Sequence, residues 1–244
     1  MSTWSIASLN PVQRKIVEHK TGPALVIAGA GSGKTRVITH RVAQLIHSGI
    51  PASSILLLTF TNKAANEMAQ RVGRTLKNST EQQKIIHGTF HSVGSRFLRR
   101  NAKLLNYNNN FSILDSSDSR DLIKASLAET VGKPGKYFPK AAVLQNMFSL
   151  AFNRFCTQKM ILDQPYHERS FHLEQLISAD FPNFEENTET ILNILAAYRH
   201  KKKRGQVMDF DDLLENWLEL LLRHGEGLPL CQQIQYILVD EYQD

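Results

Sequence analysis

Cysteine is scarce in this 244-residue chain, and long apolar runs are missing altogether. Cys156 and Cys231 show no Cys-x-x-Cys spacing and have no histidine pair nearby, so they read as buried reduced thiols, outside any disulfide framework. The longest apolar runs are four to six residues, too short to cross a bilayer. Met1-Ser2-Thr3-Trp4 lacks the basic and then apolar pattern of a leader, so the sequence predicts a cytoplasmic protein with no membrane contact. Internal repeats and low-complexity tracts are absent too. Acidic residues are few in the first half: residues 1–115 hold 15 Lys and Arg against 4 Asp and Glu, whereas residues 206–244 hold 1 against 9. A basic first half suits a polyanionic partner, because lysine and arginine gain affinity by releasing counterions from phosphates.

What is present is organised around Leu25-Val26-Ile27-Ala28-Gly29-Ala30-Gly31-Ser32-Gly33-Lys34-Thr35. The spacing predicts a buried strand, a small-residue loop and a helix that carries Val37, Ile38, Val42, Leu45 and Ile46 and stops at Gly49 and Pro51. This is the context of a phosphate-binding loop. Gly31 and Gly33 let backbone N–H groups turn toward phosphates, the helix N-terminus adds partial positive charge, Lys34 reaches the β/γ-phosphates, and the Thr35 hydroxyl suits Mg²⁺. Ala28 stands where the G-x-x-x-x-G-K-[ST] pattern has its first glycine. Upstream, Asn10 and Pro11 predict a helix N-cap and first helical position, and Gln13 has an amide able to donate to and accept from an adenine edge.

Ile55 to Phe60 reads as a second buried strand, followed by a helix with Ala64, Ala65, Met68, Ala69, Val72 and Leu76 on one face. In the turn between them Phe60 either stacks on a base, with Thr61, Asn62 and Lys63 on phosphates, or is core, with Thr61 or Asn62 as a cap. Ile85 to Ser92 repeats the arrangement, with Thr89-Phe90-His91-Ser92 at the turn and Val93, Phe97 and Leu98 beyond it. A fourth strand is predicted over Phe111 to Leu114, with Ser116 to Asp118 capping the next helix.

From residue 117 to 205 helical periods dominate, with apolar faces at Leu122, Ile123, Leu127 and Val131; at Ala142, Val143, Met147, Leu150 and Ala151; at Leu173, Leu176 and Ile177; and at Ile191, Leu192, Leu195 and Tyr198. The basic run His200-Lys201-Lys202-Lys203-Arg204 reads as a solvated helix end. Asp209 then begins an acidic amphipathic helix carrying Phe210, Leu213, Leu214, Trp217 and Leu221. A last strand, Tyr236 to Val239, runs into Asp240-Glu241-Tyr242-Gln243-Asp244. Two carboxylates directly after a buried strand complete a Mg²⁺–ATP site on paper, with Asp240 holding the metal through water and Glu241 polarising the attacking water.

In their order and content these segments resemble the UvrD/Rep/PcrA group of superfamily-one DNA helicases. Leu9 to Gln13 is similar to the family's Q motif, Ala28 to Thr35 to its first motif, Thr59 to Ala65 to motif Ia, Thr89 to Ser92 to motif Ib, and Val239 to Asp244 to motif II. Asp209 to Leu214 resembles the family's acidic helix. Phe152 replaces the lysine that many relatives carry before Asn153, and Tyr242 a commoner phenylalanine. The resemblance implies an α/β fold: a RecA-like P-loop NTPase domain with a parallel sheet, residues 1–115 and 206–244, interrupted by an all-helical DNA-binding subdomain, residues 116–205. It implies ATP bound by Gln13, Ala28 to Thr35 and Arg36, Mg²⁺ at Thr35 and Asp240, and catalysis by Lys34, Asp240 and Glu241. Single-stranded DNA would meet Phe60, Thr61, Asn62, Thr89 and His91, with single/double-strand junctions as substrates and 3′-to-5′ movement.

The family's later motifs, second motor domain and arginine finger have no counterpart in the sequence. The expected activity of these residues alone is therefore weak nucleotide binding, very slow hydrolysis and no unwinding, since an arginine finger is worth about 10³–10⁵ in rate. The strand that follows motif II in such folds lies between the first-motif and motif II strands, so a central vacancy is expected. It would be closed by direct pairing, by a partner chain, or by displacement of residues 236–244. Other readings are a non-catalytic nucleotide- and DNA-binding module completed by a partner, the helicase part of a helicase–nuclease, and an unrelated P-loop ATPase or kinase.

Overall fold

The computed structural model describes residues 6–76 and 84–242, so the expectations for Gln243 and Asp244 lie outside the described residues. The chain divides into two compact units, residues 1–93 with 226–244 and residues 94–225. In chain order the elements are α1 (Pro11–Val17), α2 (Lys34–His47), β1 (Ile55–Leu58), α3 (Asn62–Leu76), β2 (Ile86–Gly88), α4 (Phe90–Asn101), β3 (Ser112–Ile113) and α5 (Ser116–Val131). They continue with α6 (Ala141–Phe155), α7 (Gln158–Asp163), α8 (Leu173–Asp180), α9 (Thr188–Gly205), β4 (Val207–Met208), α10 (Phe210–His224), α11 (Pro229–Gln233) and β5 (Tyr236–Val239).

The first unit is built on β1, whose four residues are all buried. It pairs in parallel with β2 on one side and β5 on the other, with Leu58 level with Gly88 and with Val239. Parallel neighbours need a crossover, which α3 supplies between β1 and β2. Ile55 and Leu57 bury against Val42 and Leu45 of α2 and Met68 and Val72 of α3. At its start, α1 is fixed by a capping box in which Asn10 accepts from Gln13 N and the Gln13 side chain accepts from Asn10 N.

One expected strand is not there. Residues 23–29 form no regular structure, and Leu25, Val26 and Ile27 are 73%, 41% and 91% exposed. An apolar run becomes a strand only where a neighbour takes its backbone hydrogen bonds. Among the described residues the β2–β1–β5 sheet ends at β5, and the run joins neither sheet. β5 itself is only half-buried, with Ile237 62% exposed. The run and β5 do not close on each other.

The second unit is helical around one core that includes Ile123, Leu144, Met147, Ile161, Leu173, Ile177 and Ile194. Phe152 belongs to it, edge-on to Phe171. On α6 the buried stripe is Ala141, Leu144, Met147, Phe148, Ala151 and Phe152, one step round from the expected face, and Ala142 is exposed. The expected fourth strand is the short β3, which pairs in parallel with β4 instead of joining the main sheet. Asp115, not the serines after it, caps α5 by accepting from Ser117 N and Asp118 N. Within this unit Trp217 of α10 lies against Phe97 and so close to Gly94 that a Cβ there would sit 2.8 Å from its ring. Cys156 and Cys231 are free and half-buried instead of fully buried; burial pushes the Cys156 thiol up to about 11.

Charge is buried in this unit. Arg169 sits between Glu215 and Glu219 at 2.9 and 2.8 Å, and Arg199 grips the same Glu215. Lys202 reaches Asp209 at 2.5 Å and Asp212 at 2.7 Å. The basic run is therefore only partly a solvated end: Lys202 is buried, Lys201 pairs with Glu129, and Lys203 is half-buried. Removing one partner of a buried ion pair leaves an uncompensated charge and costs about 3–5 kcal/mol. Glu215→Leu, which strands Arg199, is expected to lose stability on that scale in urea denaturation. A loss below about 1 kcal/mol would show that Glu215 does not hold the two arginines.

Candidate functional site

The loop from Ala28 to Gly33 turns on two left-handed glycines, Gly31 at φ +75° and Gly33 at φ +87°, a region that side chains with a Cβ rarely adopt. Gly33 is also the N-cap of α2 and offers no side chain to its first-turn N–H groups, which are left to meet an anion. Ser32 Oγ donates to Gly29 O at 2.7 Å, and Lys34 Nζ donates to Ala28 O at 3.3 Å, which folds the ammonium over the loop. Gln13 closes the loop from outside by donating from Nε2 to Ser32 O at 3.0 Å. Its expected partner is a base, yet both ends of its amide are engaged within the protein. The Asn10-x-x-Gln13 spacing of a capping box was the signal for this. Arg36 donates to Ser8 O, tying the start of α2 to the N-terminal segment.

Asp240 follows β5 and is 7% exposed. The Thr35 hydroxyl and the Lys34 charge both act on its carboxylate and favour the ionised form. Burial raises the Asp240 pKa above the ordinary value, the Glu241 charge adds to this, and the Glu241 N–H, Lys34 and Thr35 oppose it. Glu241 adopts φ +53°, a left-handed turn that a non-glycine residue seldom holds. The structure thus brings Lys34, Thr35, Asp240 and Glu241 together. A hydroxyl beside a carboxylate is a hard-oxygen pair of the kind Mg²⁺ prefers, and the glycine loop with its open N–H groups fits a phosphate chain.

A second group lies past the carboxyl ends of β1 and β2. Phe60 is 65% exposed, which decides between the two readings of that ring in favour of a surface position. Thr61 Oγ1 accepts from Ala64 N and caps α3, while Asn62 is exposed. Thr89 and Ser92 bond reciprocally, Ser92 N donating to Thr89 Oγ1 at 3.1 Å and Thr89 N to Ser92 Oγ at 2.9 Å. His91 is half-buried, and burial lowers its pKa. Because Leu58 and Gly88 are in register, Phe60, Thr61 and Asn62 share one sheet end with Thr89 and His91.

Residues 9–244 match the family model described as UvrD/REP helicase N-terminal domain. The chain is 37% identical over 246 residues to the ATP-dependent DNA helicase PcrA of Bacillus subtilis (strain 168), which covers 100% of the chain and 30% of that protein. It is 34% identical to the PcrA helicases of Leuconostoc citreum and Staphylococcus aureus, with 97% of the chain and 29% or 30% of those proteins covered. The chain spans about a third of the length of these relatives.

A raised carboxyl pKa means that the ionised form is disfavoured in the fold. The resulting cost is present at pH 7 and disappears as pH falls below the ordinary value of 3.8, where Asp240 is protonated folded or unfolded. Without nucleotide and Mg²⁺, Asp240→Asn is expected to raise the thermal midpoint at pH 7, with the gain shrinking as pH is lowered. A lower midpoint at pH 7 would mean that the ionised carboxylate is a net stabiliser.

Proposed function

Because the chain belongs to the UvrD/REP helicase N-terminal domain family, we propose that it is the ATP-binding and single-stranded-DNA-binding N-terminal portion of an ATP-dependent 3′-to-5′ DNA helicase. One observation carries the reading: Lys34 and Thr35, which open α2, lie close enough to Asp240, which follows β5, to act on its carboxylate. Loop, cation, hydroxyl and carboxylate are the parts that phosphoryl transfer from a nucleoside triphosphate to water requires.

In this reading the backbone of Gly29 to Gly33 wraps the phosphates, and Lys34 leaves the Ala28 carbonyl for the β/γ-phosphates. Thr35 and Asp240 hold Mg²⁺, which when bound neutralises charge on the phosphate oxygens. Glu241 accepts a proton from the attacking water. Gln13 exchanges Ser32 O for the adenine edge, and Arg36 lies near base or sugar. Phe60 stacks on a base of single-stranded DNA, with Thr61, Asn62, Thr89 and His91 beside it. Residues 1–115 and 206–244 act as the first RecA-like motor domain, and residues 116–205 as the helical subdomain that meets duplex at a single/double-strand junction. A second motor domain supplies the arginine finger and converts turnover into movement in the cytoplasm. The strand that follows motif II in such folds would take its place between residues 24–28 and β5 and draw them into one sheet.

The test is ATPase activity with and without single-stranded DNA, for this chain, for Lys34→Ala, and for a chain extended into the second motor domain. DNA-stimulated turnover is expected only with the extension, lost with Lys34→Ala, and weakened with Phe60→Ala by about 1–3 kcal/mol of DNA affinity. DNA-indifferent turnover by the 244 residues themselves would overturn the reading.

A further inference from the structure

The basic run at the end of α9 is used in three ways. Lys202 is consumed by Asp209 and Asp212, and Lys201 by Glu129. His200 and Lys203 instead line a cavity of about 380 Å³ in the helical unit, together with His167, Asn216 and Arg223. That volume is in the range of small-ligand sites.

Lys203 is the unusual member. Its ammonium donates to Leu105 O and lies 3.6 Å from the centre of the Tyr107 ring. Among the described residues no carboxylate forms an ion pair with it; Glu219 and Asp212 act on it only from a distance. Burial consequently pushes its pKa down to about 8. Glu219 is the one carboxylate in the cavity wall, and it is neutralised by Arg169 at 2.8 Å and Arg223 at 2.9 Å. The wall therefore presents the Lys203 ammonium, two imidazoles and two carboxamides, with its acid already paired by Arg169 and Arg223. A charge that burial disfavours gains most from an anion brought to it, because the same low dielectric that penalises it strengthens the pair.

We propose that this cavity binds a phosphoryl oxyanion, with Lys203 as its charged anchor and His200, His167 and Arg223 as hydrogen-bond donors around it. The phosphoryl group belongs either to a small phosphorylated metabolite or to a nucleic-acid backbone. The site lies wholly within residues 94–225 and is separate from the loop at Lys34, so the proposal does not rest on the nucleotide reading.

The test follows the imidazole resonances of His200 and His167 by NMR in the full chain while inorganic phosphate is titrated, and in parallel a short oligodeoxynucleotide. Saturable shifts of both resonances are expected. Lys203→Met should weaken them about tenfold to a hundredfold, the worth of a charged hydrogen bond. Lys203→Arg, which retains the charge, should keep them, and Lys34→Ala should leave them unchanged, which separates this site from the phosphate loop. Shifts by the oligonucleotide that phosphate displaces would assign the backbone as source; shifts by phosphate alone would assign a small ligand. No saturable shift with either probe, or shifts equal in Lys203→Met with the fold intact by circular dichroism, would overturn the proposal.

Discussion

Parallel pairing of β1 with β2 on one flank and β5 on the other is the constraint from which the site follows. Strands that run the same way end on the same side, so the segments after Leu58, Gly88 and Val239 emerge along one edge. That edge is where open α/β sheets meet ligands. Phe60, Thr89, His91 and Asp240 are therefore brought to one rim by register, although 180 residues of sequence separate the first from the last. The full burial of β1 is what makes the pairing secure: its four apolar residues have no alternative exposed face, so the sheet must cover both sides.

Local signals in the sequence translated well into structure. Asn10 and Pro11 start α1, Gly33 starts α2, the Ile55–Leu58 run is a strand, the apolar stripe of α8 is buried as its spacing requires, and the stripes of α3 and α5 are buried at their centres and half-buried at Ala64, Leu76, Leu122 and Val131. Signals that need a distant partner did not. Residues 24–28 have the composition of a strand, but a strand is a relation between two backbones and composition specifies only one of them. Charge was the other blind spot. Nothing in His200 to Arg204 distinguishes the buried Lys202 from the exposed Arg204, because the difference lies in Asp209 and Asp212 across the β4 turn. The residues of the candidate site could be named one by one from their motifs, whereas the placing of Thr35 near Asp240 and the engagement of Gln13 with Ser32 depended on the fold.

The helical unit pairs an ordinary hydrophobic core with an ionic one. Along α10, Asp212, Glu215 and Asn216 are as buried as Leu213 and Leu220. Such a helix tolerates few neighbours, since each acid must find its cation at a fixed position: Glu215 is shared by two arginines, while Asp212 takes Lys202 and the Tyr166 hydroxyl. An apolar stripe can slide by a residue and still bury; a stripe carrying these acids cannot. The ion pairs therefore fix the register of α10 against α9 and the Tyr166–Arg169 segment, whatever they add to stability.

Gln13 has a consequence for discrimination. Its carboxamide is already satisfied at both ends, by Asn10 N and Ser32 O. A ligand that recruits this side chain must replace two hydrogen bonds, each worth about 1 kcal/mol net. One that offers both a donor and an acceptor breaks even and then gains from its remaining contacts. One that offers only half of that pattern leaves a deficit in the protein itself. Selectivity at this position is thus set before any ligand arrives, by what the empty protein would have to give up.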